Sequence, residues 1–246
     1  MPSPTPSRQI ALISGAARRI GRAIALDLAD NGWDVAIHFR KSGDEAEQLV
    51  GELKKRGVKA AAFAADLAHV KELQGLVDRV SNTMGAPTCL INNASEFLLD
   101  GPSTLDEATW DKHLDINLKA PVFLAQAMVK HLPEGTDGNI INIIDQRVWK
   151  LTPEFFSYTI SKAGLWTATR TLAQALAPRV RVNAIGPGPV LRSVHQTDAD
   201  FGAEQASTLL GRGPTPEEIA CAVRFILSAT SMTGQMIALD GGQHLS

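Results

Sequence analysis

Residues 9–39 read QIALISGAARRIGRAIALDLADNGWDVAIHF, and their reading decides the architecture. Gln9 to Ser14 is a short apolar run that stops at Gly15, the pattern of a buried strand. From Arg19 the period changes: Ile20, Ile24 and Leu28 recur every four residues with small alanines between, and Asn31-Gly32 supplies a helix stop. A second apolar run, Val35 to Phe39, follows. Strand, glycine turn, helix and strand make a βαβ unit, whose crossover is right-handed in nearly every known case.

Beyond residue 40 the alternation continues. Helices are expected over Asp44–Arg56, Val70–Met84, Leu114–His131, Tyr158–Leu176 and Thr215–Leu227. Strands are expected over Lys59–Ala64, Thr88–Asn92, Asn139–Ile144, Val180–Ile185 and Met236–Leu239. Seven apolar strands alternating with helices predict an α/β fold, a parallel sheet covered on both faces. No repeat, low-complexity tract or linker divides residues 9–246, so one domain is expected. Residues 1–8, polar and proline-rich, read as a frayed tail and not as a secretory leader. Two segments break the alternation: 95–104 after the fourth strand and 187–214 after the sixth. Both leave carboxyl ends of strands, where open α/β sheets bind ligands, and the second is long enough to be a lid or substrate loop.

The charge balance of 24 basic against 26 acidic side chains gives no footprint for nucleic acid or an anionic membrane. No apolar run approaches the length of a membrane span. Cys89 and Cys221 are too few for a disulfide framework, and their apolar neighbours predict small buried hydrophobes. No Cys/His cluster or paired-histidine motif suggests a metal. These features predict a soluble, cytoplasmic protein acting on a small molecule.

Three stretches carry chemistry. The first is the turn Ser14-Gly15-Ala16-Ala17-Arg18-Arg19-Ile20-Gly21, between strand and helix. There the free N–H groups and positive dipole end of the helix favour a pyrophosphate. Arg19 occupies the place of the usual middle glycine. The second is the end of the second strand, His38-Phe39-Arg40-Lys41-Ser42. An acidic residue there would bind a ribose 2′-hydroxyl and repel a 2′-phosphate; cations and a hydroxyl point to NADPH. The third is Asp145 to Lys162, DQRVWKLTPEFFSYTISK. With Tyr158 on a helix, Lys162 stands on the same face, and an ammonium there is expected to lower the phenol pKa and make Tyr158 a general acid. Asp145, thirteen residues before Tyr158, either enters the reaction or caps its own loop as an Asx-turn. Phe97 either stacks on a substrate ring or plugs the core. Trp149, Phe155 and Phe156 either wall a pocket or pack.

Joined to the glycine turn, Tyr158 and Lys162 resemble the short-chain dehydrogenase/reductase family over about residues 9–242. The resemblance implies a Rossmann fold, hydride transfer from a nicotinamide and often a homotetramer. It also assigns positions. Gly15, Arg18, Arg19, Ile20, His38, Arg40 and Ser42 hold the cofactor phosphates. Asp66 and Leu67 lie at its adenine, and Asn93, Ala94, Pro187 and Gly188 beside the nicotinamide. Asn117 organises the active-site water and lysine. Arg19, Ser95, Phe97 and Asp145 are similar to the pteridine reductase branch, which includes dihydromonapterin and dihydrofolate reductases. The branch implies substrate contacts from these four residues and Tyr158. The alternatives are a carbonyl or 3-oxoacyl reductase of the same fold, or a non-catalytic dinucleotide sensor. Physical chemistry favours the pterin. An ionised carboxylate cannot donate to a ketone oxygen and would repel a developing alkoxide, unless its pKa is raised enough to keep it protonated, but it can accept the N–H groups of a dihydropterin.

Overall fold

The computed structural model describes residues 9–246; the expectations for residues 1–8 lie outside them. Seven strands form one parallel sheet: β1 (Ile10–Ile13), β2 (Asp34–Phe39), β3 (Ala60–Ala64), β4 (Cys89–Asn92), β5 (Gly138–Ile143), β6 (Val180–Pro187) and β7 (Met236–Leu239). Their spatial order is 3-2-1-4-5-6-7, with Leu12 opposite Leu90 in the β1–β4 pair. The strand order reverses between β1 and β4. The carboxyl ends of those strands therefore open a crevice where ligands bind.

The helices are α1 (Arg19–Asp30), α2 (Gly43–Lys55), α3 (Val70–Met84), α4 (Glu107–Leu114), α5 (Ala120–His131), α6 (Phe156–Leu176), α7 (Asp198–Ala206) and α8 (Pro216–Ser228). The period-2 pleat of β1 sends Ala11 and Ile13 to one layer, with Ile24 and Leu28 of α1 and Ile226 of α8. Leu12 points to the opposite layer, with Leu73, Leu76 and Val77 of α3 and Leu124 of α5. This is a doubly wound, single-domain Rossmann architecture.

Three expectations are corrected. The helix expected over 114–131 is a π turn, Asp115–Lys119, followed by α5, and it is preceded by α4, in a stretch where no helix was expected. Pro121 has no N–H to donate to the carbonyl of Asn117 four residues before it, so a regular α-helix cannot run through this point. Segment 187–214 is not wholly irregular, because α7 lies within it. A reciprocal cap between Thr197 and Asp200 starts that helix. Cys89 is buried in β4, whereas Cys221 is exposed on the outer face of α8. Among the described residues no helix is long and apolar enough to cross a membrane, and no cluster of side chains could hold a metal ion.

Candidate active site

A cleft of about 770 Å³ runs across the carboxyl ends of the central strands, near the upper end of the range for small-molecule sites. Its floor begins at the β1–α1 turn. Gly15 has φ +62°, and a Cβ on Gly21 would lie 2.5 Å from the Gly15 carbonyl oxygen. Only glycine lets the helix start come this close. Asn93 stitches the end of β4 to the same turn, its Nδ2 donating to Ser14 O at 3.0 Å and Gly15 O at 3.1 Å. Arg19 has φ +55°, the backbone state that a middle glycine would provide freely. Its guanidinium donates to the carbonyls of Leu191 and Arg192, both at 3.0 Å, and so ties the turn to the 187–214 segment. No side chain caps α1, which leaves its first N–H groups for a ligand.

At the nucleotide end, Arg40, Lys41, Ser42 and Leu67 line the cleft. His38, expected at the cofactor phosphates, lines it too but brings no charge. Burial depresses its pKa to about 4. Its Nδ1 accepts from the Gly15 N–H at 3.0 Å, which leaves Nε2 as the donor to Ala65 O at 3.1 Å. His38 is therefore a neutral brace for the glycine turn. Asp66 does not line the cleft; its carboxylate accepts from the Ala68 N–H at 3.0 Å and caps the next turn. Arg40 pairs with Glu96 at 2.8 Å, across the cleft from β2 to the segment after β4. The glycine cradle, the uncapped helix and the cations beyond β2 fit a dinucleotide carrying a further phosphate.

At the other end, Tyr158, Asp145, Lys162, Ser95 and Phe97 come together. The Tyr158 hydroxyl donates to Asp145 Oδ2 at 2.8 Å, while Asp145 Oδ1 accepts from the Arg147 N–H at 2.9 Å. Asp145 thus caps its loop with one oxygen and faces the phenol with the other. Burial raises the Asp145 pKa above the ordinary carboxylate value. Lys162 Nζ donates to Ile143 O at 2.9 Å, and burial lowers its pKa to about 8. The phenol does not move as expected. Burial, reinforced by the Asp145 carboxylate, raises the Tyr158 pKa well above its ordinary value. Tyr158 is accordingly a retained acid, not a preformed phenolate. Asn117 lies behind the cleft, fully buried. Its Oδ1 accepts from Ser95 Oγ at 3.1 Å and the Glu96 N–H at 2.9 Å, and its Nδ2 donates to Ser161 Oγ at 3.1 Å. One side chain therefore fixes the segment after β4 to the helix of Tyr158. Pro187 and Gly188 line the cleft where β6 ends.

Segment 95–104 is fastened to α6 a second time. Asp100 accepts from the Ser157 N–H with both carboxylate oxygens at 3.2 Å, capping the helix one residue before Tyr158. Buried His113 adds to this network, its Nε2 accepting from the Leu98 N–H at 3.0 Å and its Nδ1 bonded to Ser157 Oγ at 2.6 Å. Phe97 stacks on Phe155 with centroids 4.1 Å apart and meets the Tyr158 ring edge-on at 4.7 Å. Of the three aromatics left open above, Phe155 walls the cleft, Trp149 is exposed against His244, and Phe156 opens α6.

Sequence reasoning did not single out Glu96, Arg147 or His195, all of which line the cleft. Glu96 and Arg147 sit inside stretches already marked by Phe97 and Asp145, so adjacency was the available signal. His195, whose ring bonds Phe97 O at 3.1 Å, carries no local signal.

The family pattern described as enoyl-(acyl carrier protein) reductase matches residues 15–244. A 3-oxoacyl-[acyl-carrier-protein] reductase of Staphylococcus aureus is 33% identical over 240 residues, covering 96% of this chain and 98% of the relative. A crystal structure of FolM alternative dihydrofolate reductase 1 from Brucella suis, in complex with NADP, superposes with TM-score 0.95 at 50% identity, covering 98% of this chain and 97% of that one. A short-chain dehydrogenase from Burkholderia cenocepacia in complex with NADP gives TM-score 0.91 at 30% identity, covering 97% and 99%. With its seven-stranded parallel sheet and its tyrosine and lysine at the cleft, the chain belongs to the short-chain dehydrogenase/reductase family of oxidoreductases.

Proposed function

We propose that this chain is an NADPH-dependent reductase of a dihydropterin-like ring, adding hydrogen across a C=N bond. The observation that carries the reading is the hydrogen bond from Tyr158 to Asp145 Oδ2 at the floor of the cleft. The NADP-bound Brucella relative supports both the cofactor and the branch. Gly15, Arg18, Arg19 and Ile20 would hold the pyrophosphate, Arg40 and Ser42 the 2′-phosphate, and Leu67 the adenine side. Asn93, Ala94, Pro187 and Gly188 would hold the nicotinamide end. When bound, the cofactor supplies a hydride to a ring carbon.

The protein's own part is the proton and the orientation. Tyr158 keeps its proton at neutral pH, because burial and Asp145 hold it there. It is the acid that protonates the ring nitrogen next to the reduced carbon, directly or through water. Asp145 accepts ring N–H groups or relays the replacement proton. Lys162 sets the field at the phenol and bonds the ribose, and Asn117 holds the relay geometry. Phe97 and Arg19 position the ring.

Ketone reduction, as in the Staphylococcus relative, is the rival. Asp145 opposes it, because a carboxylate beside a forming alkoxide places like charges together in a dry site. NADPH oxidation is followed with oxidised and dihydro pterins, dihydrofolate, and several ketones including a 3-oxoacyl thioester. Dihydropterin or dihydrofolate is expected to give the highest kcat/KM. A ketone that exceeds them overturns the reading.

A further inference from the structure

We infer that Arg147 is a specificity-determining residue that pairs with a carboxylate on the substrate, beyond the ring that is reduced. The inference rests on the pterin-type reading above and deepens it by naming what else the substrate carries. Arg147 lines the cleft two residues after Asp145, within the 3-10 turn Gln146–Val148. Its N–H donates to Asp145 Oδ1 at 2.9 Å, so the turn that aims the carboxylate also fixes the root of the guanidinium. The guanidinium lies over Phe155, 5.2 Å from the ring centroid. Phe155 stacks on Phe97, and Phe97 meets Tyr158. Phenol, two phenyl rings and guanidinium are therefore in successive contact.

The donor inventory points to a missing partner. A guanidinium has five N–H donors. Among the described residues the Arg147 side chain makes one hydrogen bond, from Nη1 to Thr152 Oγ1 at 2.7 Å, and no ion pair within contact distance, although its charge acts on Asp145 and Tyr158. Some arginines elsewhere are matched to carboxylates, as in Arg22–Glu52 and Arg224–Asp27, both at 2.7 Å, and others spend their donors on backbone carbonyls, as Arg181 does. Arg147 keeps its planar fork uncommitted, with one face on an aromatic ring and a cleft in front. That fork matches the two oxygens of a carboxylate. The aromatic rings between Tyr158 and Arg147 suit an apolar spacer between ring and acid.

The test compares dihydrofolate, whose tail ends in carboxylates, with dihydrobiopterin, which shares the ring and has no charge. In Arg147→Gln the ratio of their kcat/KM values is expected to fall at least about tenfold against dihydrofolate, as for a lost charged hydrogen bond at a specificity site. Raising salt to about 0.5 M should compress the wild-type ratio and leave the variant's flat, because screening acts on the ion pair. A role exerted only through Asp145 lowers both substrates together; a ratio within about twofold of wild type overturns the inference, on the same scale of effects. If Arg147→Gln does not fold, Arg147→Lys, which keeps the charge and loses the fork, is read against the same ratio. Wild-type protein that reduces neither pterin overturns the substrate-class reading instead. The Arg147 inference is then decided by calorimetric Kd values for a 3-keto acid and its methyl ester, where a wild-type preference for the acid that survives Arg147→Gln refutes it.

Discussion

Tyr158 donates its hydroxyl hydrogen to Asp145 Oδ2 at 2.8 Å, and burial, reinforced by that carboxylate, holds the phenol in its neutral form. An acid that keeps its proton suits reduction, where a proton must be delivered. Removing the hydroxyl by Tyr158→Phe leaves the ring packed against Phe97 but takes away the donor. We expect kcat for dihydropterin reduction to fall at least about a hundredfold, the usual contribution of a general acid. Binding of NADPH, measured by fluorescence titration, should persist. Unchanged turnover would remove Tyr158 from the reaction.

Asp145 divides its two oxygens between a turn and the phenol, and the two roles separate by substitution. In Asp145→Ser the hydroxyl can still accept from the Arg147 N–H, so the turn survives. The group facing the phenol changes from an anion to a neutral donor. Dihydropterin kcat/KM should fall by at least about a hundredfold, on the scale of lost acid–base function, and ketone turnover should rise from its wild-type level. Thermal melting shows whether the turn is intact. Indifference of pterin turnover would end the argument from the carboxylate.

Lys162 sets the alkaline limit. Burial brings its pKa down to about 8, so above that pH the ammonium is lost and with it the positive field at Tyr158. The pH profile of kcat/KM should decline on an alkaline limb beginning near pH 8. Lys162→Arg keeps its charge at every accessible pH. Its rate, even if low, should show no such limb.

Local periodicity carried most of the fold. The helix over Val70–Met84 and the strand over Met236–Leu239 match the sequence expectation to the residue, because apolar spacing and flanking stops fix them. The break at Asn117 did not show in the apolar pattern, although Pro121 was the chemical sign of it. Helix α7 was hidden because it buries no residue and so has no periodic face to read. At the site, glycines and the tyrosine–lysine spacing announce themselves along the chain. Partners across the fold do not: Arg40 finds Glu96 and Asp100 finds Ser157 only once β2, β4 and α6 are assembled. The protonation of Tyr158 and His38 was likewise illegible, since burial outweighs neighbouring charge and burial is a property of the fold.

The Arg40–Glu96 ion pair predicts opposite effects from its two ends. Glu96 competes with a 2′-phosphate for the same guanidinium and adds a negative charge beside it. Arg40→Ala should raise KM for NADPH far more than for NADH, and Glu96→Gln should lower KM for NADPH. The main chain of Glu96 stays anchored, because Asn117 holds both its N–H and its carbonyl. Steady-state titrations with both nucleotides decide the point. Equal responses to NADPH and NADH in Arg40→Ala would refute the phosphate assignment.

His38 makes stability depend on pH in a window set by its own titration. Its pKa is about 4 in the folded protein and about 6.5 in an unfolded chain. Above pH 6.5 both states are neutral and the residue adds no pH dependence. Between about 6.5 and 4 the unfolded state takes up the proton that the folded state refuses, so stability rises with pH and is lost as pH falls. At about 1.4 kcal/mol per unit, the full loss from this residue is roughly 3 kcal/mol. Urea unfolding of the cofactor-free protein from pH 7 to 4 should show this decline on top of that from other groups. His38→Asn retains an amide that can serve the Gly15 turn but cannot titrate, and its curve should be flatter by about that amount. Parallel curves for the two proteins would mean that the folded ring takes up its proton over the same pH range as the unfolded chain, and that the β1–α1 turn does not depend on a neutral acceptor at His38 Nδ1.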